Sequence, residues 1–215
     1  MRIAELSERS GVPIPTIKYY LREGLLPRGE ATGRNQARYG NEHLSRLRLV
    51  RALTAIGGLP VSTVREILDE IGEPDVGPHF RLGLVMHRLP LVGDDVEPRP
   101  EDLERAHAFA ARRGWHLPPK IPVIHALAVV LTGHHEAGHP IDDADLDRYA
   151  EAAQHIAVID LDRISGLSGE DVLEGAVVKT VLGDALLTVL RRLAQVEESA
   201  ARNVDDAERQ EAQRG

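Results

Sequence analysis

Between Ile3 and Leu26 the chain sets two short amphipathic stretches a few residues apart, and this pairing constrains the fold more than any other feature. Ile3, Leu6 and the run Ser10-Gly11-Val12 read as a helix closed by Gly11, because glycine enters the left-handed conformation of a tight turn without a Cβ clash. A second helix is expected from Pro13 to Pro15 onward, since proline suits a first helical turn. Ile17, Tyr20 and Leu21 fall at i, i+3 and i+4, one apolar stripe aimed at the first helix. Thr16, Lys18, Tyr19 and Arg22 are left on the opposite face, and Gly24 ends the helix. A buried stripe behind, with donors and an aromatic hydroxyl in front, is what a helix entering the DNA major groove requires.

Pro27 to Gly40 is rich in Gly and Arg. Its composition weighs evenly between a solvated linker and a small β-hairpin, a wing carrying Arg28, Arg34 and Arg38. From Glu42 the pattern is helical again, with Leu44, Leu47, Leu49, Val50, Leu53 and Ile56 in phase up to Gly57-Gly58. Pro60 opens a fourth helix, with Val61, Val64, Ile67 and Leu68 inward, ending at Gly72. The net charge of −8 hides a split: residues 1–72 hold 11 Lys+Arg against 8 Asp+Glu, and the remainder 15 against 26. A basic end joined to an acidic body suits a chain that meets phosphates at one end only.

The order of these elements, with Thr16-Ile17-Lys18-Tyr19-Tyr20, Gly24-Leu25-Leu26-Pro27, a basic wing ending in Arg38-Tyr39, Gly57-Gly58 and Val64-Arg65-Glu66-Ile67-Leu68, resembles the winged-helix domain of the MerR family of bacterial transcription regulators. That resemblance covers about a third of the chain. It implies a sequence-specific regulator, a homodimer on double-stranded operator or promoter DNA, with RNA polymerase as a partner where promoters are activated. It also places Lys18 and Tyr19 where the family sets an Arg-Tyr pair that contacts DNA, and Tyr20 in the core. Lys18, Arg22, Arg28, Arg34 and Arg38 are then expected on phosphates, Thr16 and Tyr19 near base edges or backbone, and Tyr39 with them in the DNA-binding set. Two departures stand out. Lysine replaces arginine at position 18, trading bidentate guanine reading for a point charge. Arg38 and Tyr39 are adjacent where the family more often leaves a residue between.

The expected architecture is mainly α: a winged helix-turn-helix of four helices and a hairpin over 1–72, a linker over 73–78, an all-α body over 79–199 and a disordered tail over 200–215. Glu73-Pro74-Asp75-Val76-Gly77-Pro78 breaks the chain where many MerR-like proteins continue into a dimerising coiled coil, so the dimer must be built elsewhere. Helices are expected over His79–Leu89, Glu101–Trp115, Ile121–Leu131, Asp142–Ile164 and Ser168–Ser199. The third of these is apolar on all sides and reads as enclosed. In outline this body is similar to the ligand-binding domain of TetR-family regulators. On that likeness the last two helices would form the dimer interface and the interior would hold a small-molecule effector. Trp115, His125 and Tyr149 are the candidate effector contacts, each weighed against an ordinary packing role.

His135-Glu136-Ala137-Gly138-His139 spells the H-E-x-x-H motif, which needs both histidines one turn apart on a continuous helix to converge on zinc. With Gly133 before it, Gly138 inside it and Pro140 after it, the segment reads as an interhelical loop. His134, His135 and His139 remain metal candidates, and no cofactor is expected. The absence of cysteine excludes disulfides, thiolate metal sites and thiol redox sensing. No run of eighteen apolar residues or signal pattern is present, so a cytoplasmic protein without membrane contact is expected. Two rival readings stay open: an effector-independent architectural DNA binder, and a metal-dependent protein using His135, Glu136 and His139.

Overall fold

A computed structural model describes residues 1–33, 36–72, 89, 91–92, 96–117, 122–162 and 170–212. They are mainly helical and divide into two compact units, Met1–Pro60 with Val178–Gly215, and Val61–Val177.

The first unit opens with α1 (Ile3–Ser10) and α2 (Ile14–Arg22). Gly11 takes φ 67° and its amide donates to the Ser7 carbonyl at 2.9 Å, ending α1 where the sequence predicts. A two-stranded antiparallel wing follows, β1 (Glu30–Gly33) and β2 (Gln36–Arg38), pairing Glu30 with Arg38 and Ala31 with Ala37. The hairpin reading of this segment therefore holds. Helix α3 (Asn41–Arg51) runs on into a π-helical turn, Ala52–Ile56, instead of the single α-helix expected. There the Gly57 amide reaches back five residues to the Ala52 carbonyl, and the Thr54 hydroxyl bonds the Val50 carbonyl at 2.8 Å. The wider turn keeps Leu53 fully buried but swings Ile56, expected inward, out to 64% exposure. Leu6, Ile17, Leu25, Leu26, Leu47, Val50 and Leu53 form the buried apolar set of this unit.

The second unit holds α4 (Val61–Gly72), α5 (Pro100–Arg112), α6 (Val123–Glu136), α7 (Asp143–Asp162) and the first turns of α8 (Glu170–Ala212). Val64 and Ile67 of α4 are fully buried. Ala106 and Phe109 of α5 pack with Ala128 and Leu131 of α6 and with Leu146 and Ala150 of α7. A buried polar link reinforces this contact. The Thr132 hydroxyl donates to Asp102 at 2.9 Å and accepts the Arg99 amide at 3.0 Å, pinning the start of α5 to α6. A hydrogen bond to a charged partner of this kind stabilises by about 1.5–3 kcal/mol.

Arg112 and Arg113, which read as a solvated face, are instead ion-paired. Asp143 accepts from Arg105 at 2.6 Å and Arg112 at 3.4 Å, and Asp147 lies 3.3 Å from Arg112 and 3.8 Å from Arg113. The acidic residues recur every four positions along α7, one per turn, which is why they line up along α5.

Other elements depart from expectation. Helix α6 is not enclosed: Val123 and Val130 are each 38% exposed, because only its Ala128–Leu131 side meets α5 and α7. It also continues past Leu131, since Gly133 is tolerated inside a helix with neighbours to support it, and stops only at Gly138 with φ 76°. Helix α8 runs to Ala212, through the segment expected to be disordered. Ala, Glu, Arg and Gln there are strong helix formers, and Arg202 pairs Glu198 one turn away at 2.8 Å. The expected linker and nearly all of the expected His79–Leu89 helix lie outside the described residues.

Candidate nucleic-acid interface

The reading face is set by the turn between α1 and α2. Ser7 donates its hydroxyl to the Val12 carbonyl at 2.6 Å, and the Val12 amide donates to the Ser10 hydroxyl at 3.2 Å, so the three-residue connection is tied at both ends. Ile17 and Tyr20 are buried against this corner, as their spacing predicts. Lys18 and Arg22 are exposed on the other side, with Tyr19 and Thr16 half-buried beside them. The Arg22 guanidinium carbon lies 5.4 Å from the Tyr19 ring centre, and Arg22 Nε stands 3.6 Å from the Glu23 carboxylate. Tyr19 is thus stacked on its outer face by a cation and tilted against Tyr20 within, at 5.9 Å between ring centres, which fixes the direction of its hydroxyl.

Beyond α2 the chain turns through Gly24, at φ 78°, into the fully buried pair Leu25 and Leu26. At the wing base Gly29 leaves no room for a side chain: a Cβ would fall 2.7 Å from the Arg38 carbonyl and 2.9 Å from the Tyr39 ring. Arg28 and Arg38 are exposed, while Arg34 lies outside the described residues.

Tyr39, expected with the DNA-binding set, is buried at the base of the wing. It is only 7% exposed, its amide donates to the Met1 carbonyl at 2.9 Å, and the Met1 amino group donates back to its carbonyl at 2.8 Å. Its ring meets His43 edge-on at 5.2 Å. With Arg38 and Tyr39 adjacent, strand alternation sends one outward and the other into the core, so Tyr39 anchors the wing and Arg38 faces solvent.

Two residues at the base of α3 carry no sequence signal strong enough to single out. His43 is buried. Its Nδ1 stands 3.0 Å from the Gly40 amide, from which it accepts when neutral, and 2.8 Å from Glu42, to which it donates when protonated. Its Nε2 is buried without a partner among the described residues. The Glu42 carboxylate is held below its usual range, first by its own backbone amide and then by His43 and the Gly40 amide. A cleft of about 330 Å³ between Arg2, Glu5, Thr32, Gln36 and Arg38 sets the wing beside the start of α1.

A sequence profile of the MerR HTH family regulatory protein matches residues 1–71. Over nearly its whole length the chain also resembles a solved structure, a proposed transcriptional regulator from Streptomyces coelicolor A3(2). The two are 39% identical, with 94% of this chain and 97% of that one covered and a TM-score of 0.72. The chain belongs to the MerR family. It is likewise similar to a mercuric resistance operon regulatory protein of Bacillus cereus, 25% identical over 104 residues, which span 48% of this chain and 75% of that protein. A MerR-family chain with this head is a DNA-binding transcription regulator.

The body residues singled out in this MerR-family chain have different surroundings. Trp115 packs edge-on against Phe109 at 5.6 Å between ring centres, with Arg113 over its ring at 5.8 Å. His125 is half-buried on α6, and Tyr149 is 56% exposed on α7. His134 and His135 sit in the last turn of α6, contrary to the loop expected, but His139 falls beyond Gly138. His134 Nδ1 lies 3.1 Å from the His139 carbonyl. Both histidines of the H-E-x-x-H run therefore do not share one helix, and among the described residues no group of three or more ligating side chains is placed to hold a metal. None of the described helices is long and apolar enough to cross a membrane.

Proposed function

We propose that this MerR-family chain is a homodimeric, sequence-specific regulator that binds a two-fold symmetric operator and acts by binding rather than catalysis. The observation that carries this reading is the face of α2: Lys18, Tyr19 and Arg22 outward, Ile17 and Tyr20 locked inward, with the basic wing alongside. Lys18, Arg22, Arg28 and Arg38 neutralise phosphates, with Arg34 assigned to the same set from sequence. Thr16 and Tyr19 approach base edges or backbone. The unit of recognition is the domain over residues 1–72, and the helical body over 79–199 regulates it.

A small-molecule effector in that body is the finer part of the proposal. Trp115, half-buried at the edge of the α5–α7 core, offers the surface that favours it. The effector class does not carry over from the Bacillus relative. Its name ties it to mercuric resistance, and soft-metal sensing of that kind rests on thiolates, which these 215 residues lack.

Selection from a random duplex pool at near-physiological salt tests the reading. A two-fold symmetric motif is expected, with a half-site spacing set by the dimer. Enrichment of no motif at all would remove sequence-specific binding from the proposal.

A further inference from the structure

One buried side chain of the reading head belongs to neither its apolar core nor its outward face. His43, 5% exposed, sits in the first turn of α3, edge-on to the Tyr39 ring where the wing ends. Its Nδ1 has two neighbours with opposite demands. The Gly40 amide, 3.0 Å away, requires a lone pair on that nitrogen, and the Glu42 carboxylate, 2.8 Å away, requires a proton. One ring atom cannot meet both. The Glu42 side chain is 68% exposed and can turn to water, whereas the Gly40 amide is part-buried, so the neutral ring keeps the cap. An imidazolium carries a proton on Nδ1, which faces the amide with a second donor and gives Glu42 its partner. Nε2 supplies no alternative, being buried without a partner among the described residues.

These bonds lie at the root of the wing. Gly40 follows Tyr39 directly, Tyr39 is paired through its backbone to Met1, and Arg38 lines the cleft beside the start of α1. The Glu42 carboxylate lies over Gly40, where a Cβ would strike it, and so already stands where a protonated His43 needs it. Of the charged groups on the surrounding elements, the Met1 ammonium binds the Tyr39 carbonyl, Glu5 and Arg9 of α1 pair at 3.8 Å, and Arg38 is exposed. The Glu42 carboxylate, held below its usual range, stays charged through the interval of about pH 5–8 in which imidazoles titrate. We propose that His43 is a proton-operated positioning residue: neutral, it caps Gly40 and holds the wing for DNA; protonated, it turns to Glu42 and releases the wing root. Operator affinity then falls as the medium acidifies. The inference rests on the operator-binding reading above and adds its regulation.

Affinity for the selected operator, titrated from about pH 8 to about pH 5.5 at constant ionic strength, is expected to fall about threefold or more. The sign is informative, because added protons on a basic head would by themselves tighten binding to phosphates. His43→Gln places an oxygen that accepts the Gly40 amide at every pH, so it should bind like the parent at the upper pH and keep that affinity in acid. Glu42→Gln, an exposed change, removes the acceptor of the imidazolium and should move the fall to lower pH. The wing can also be followed without DNA. The chain has no cysteine, so Glu8→Cys on α1 and Thr32→Cys on β1, both exposed, take spin labels without background. Their distance distribution should broaden on acidification in the parent and not with His43→Gln. Affinity and label distances that ignore pH, or a His43→Gln protein as acid-sensitive as the parent, overturn the inference and leave operator binding standing. If His43→Gln fails to fold, an unmoved midpoint in Glu42→Gln overturns it instead. A parent that binds no operator at the upper pH removes the binding reading, and the label distances then decide the inference alone.

Discussion

At position 18 a lysine stands on an exposed face where arginine would offer two parallel donors to a guanine edge. On the proposed reading Lys18 supplies charge more than sequence reading. Lys18→Ala is expected to weaken binding to all duplexes alike and to flatten the slope of log affinity against log salt by about one unit, measured by titration at several salt concentrations. An unchanged slope would take Lys18 off the phosphates. Lys18→Arg should keep the slope and sharpen discrimination at one base pair. Ile17 behaves differently, because it is fully buried. Ile17→Ala should lower unfolding stability by roughly 2–5 kcal/mol in denaturant titration. This division of α2 was legible in the sequence, since a 3.6-residue period sorts side chains before any contact is known. The inward turn of Tyr39 was not, because it depends on bonds to Met1, thirty-eight residues away.

Helices α5 and α7 are joined by a ladder whose most loaded rung is Asp143. Hydrogen bonds from Arg105, and the charges of Arg105 and Arg112, hold its carboxyl below the usual range. A carboxylate depressed on folding lends stability that is present above its unfolded pKa and is lost as the pH falls through the folded one. Thermal melts should therefore lose part of the stability of this unit below about pH 4. Asp143→Asn should remove that part of the pH dependence, and an unaltered acid profile would show that the rung contributes nothing. The effect is small, at most about 1 kcal/mol, because the pairs are exposed and screened by salt. Among the elements, helices with clear apolar periods were legible within a few residues. The π-helical turn was not, because Ala52–Ile56 has an ordinary helical composition. Nor was the extent of α6, where a glycine that reads as a stop sits inside the helix.

On the scale of the whole molecule, Gly57 and Val181 decide how much of the chain the reading head needs. A Cβ at Gly57 would strike Val181 and fall 2.8 Å from the Leu53 carbonyl, and Val181 is itself buried. Val181→Ala should cost about 1–3 kcal/mol of stability in the unit that contains α2, although the residue lies more than a hundred positions downstream. A fragment ending at Gly72 should melt below the head of the full-length protein, as differential scanning calorimetry can show. An unaltered melt would mean that the α8 contact adds nothing. The same contact has a consequence for synthesis. Chains fold from the amino end as they leave the ribosome, at about 5–20 residues per second. A head that needs Val181 stays incomplete for roughly 6–24 seconds after its own helices emerge. For that interval the basic surface is translated but unfinished, and α8 is the last piece that makes it whole.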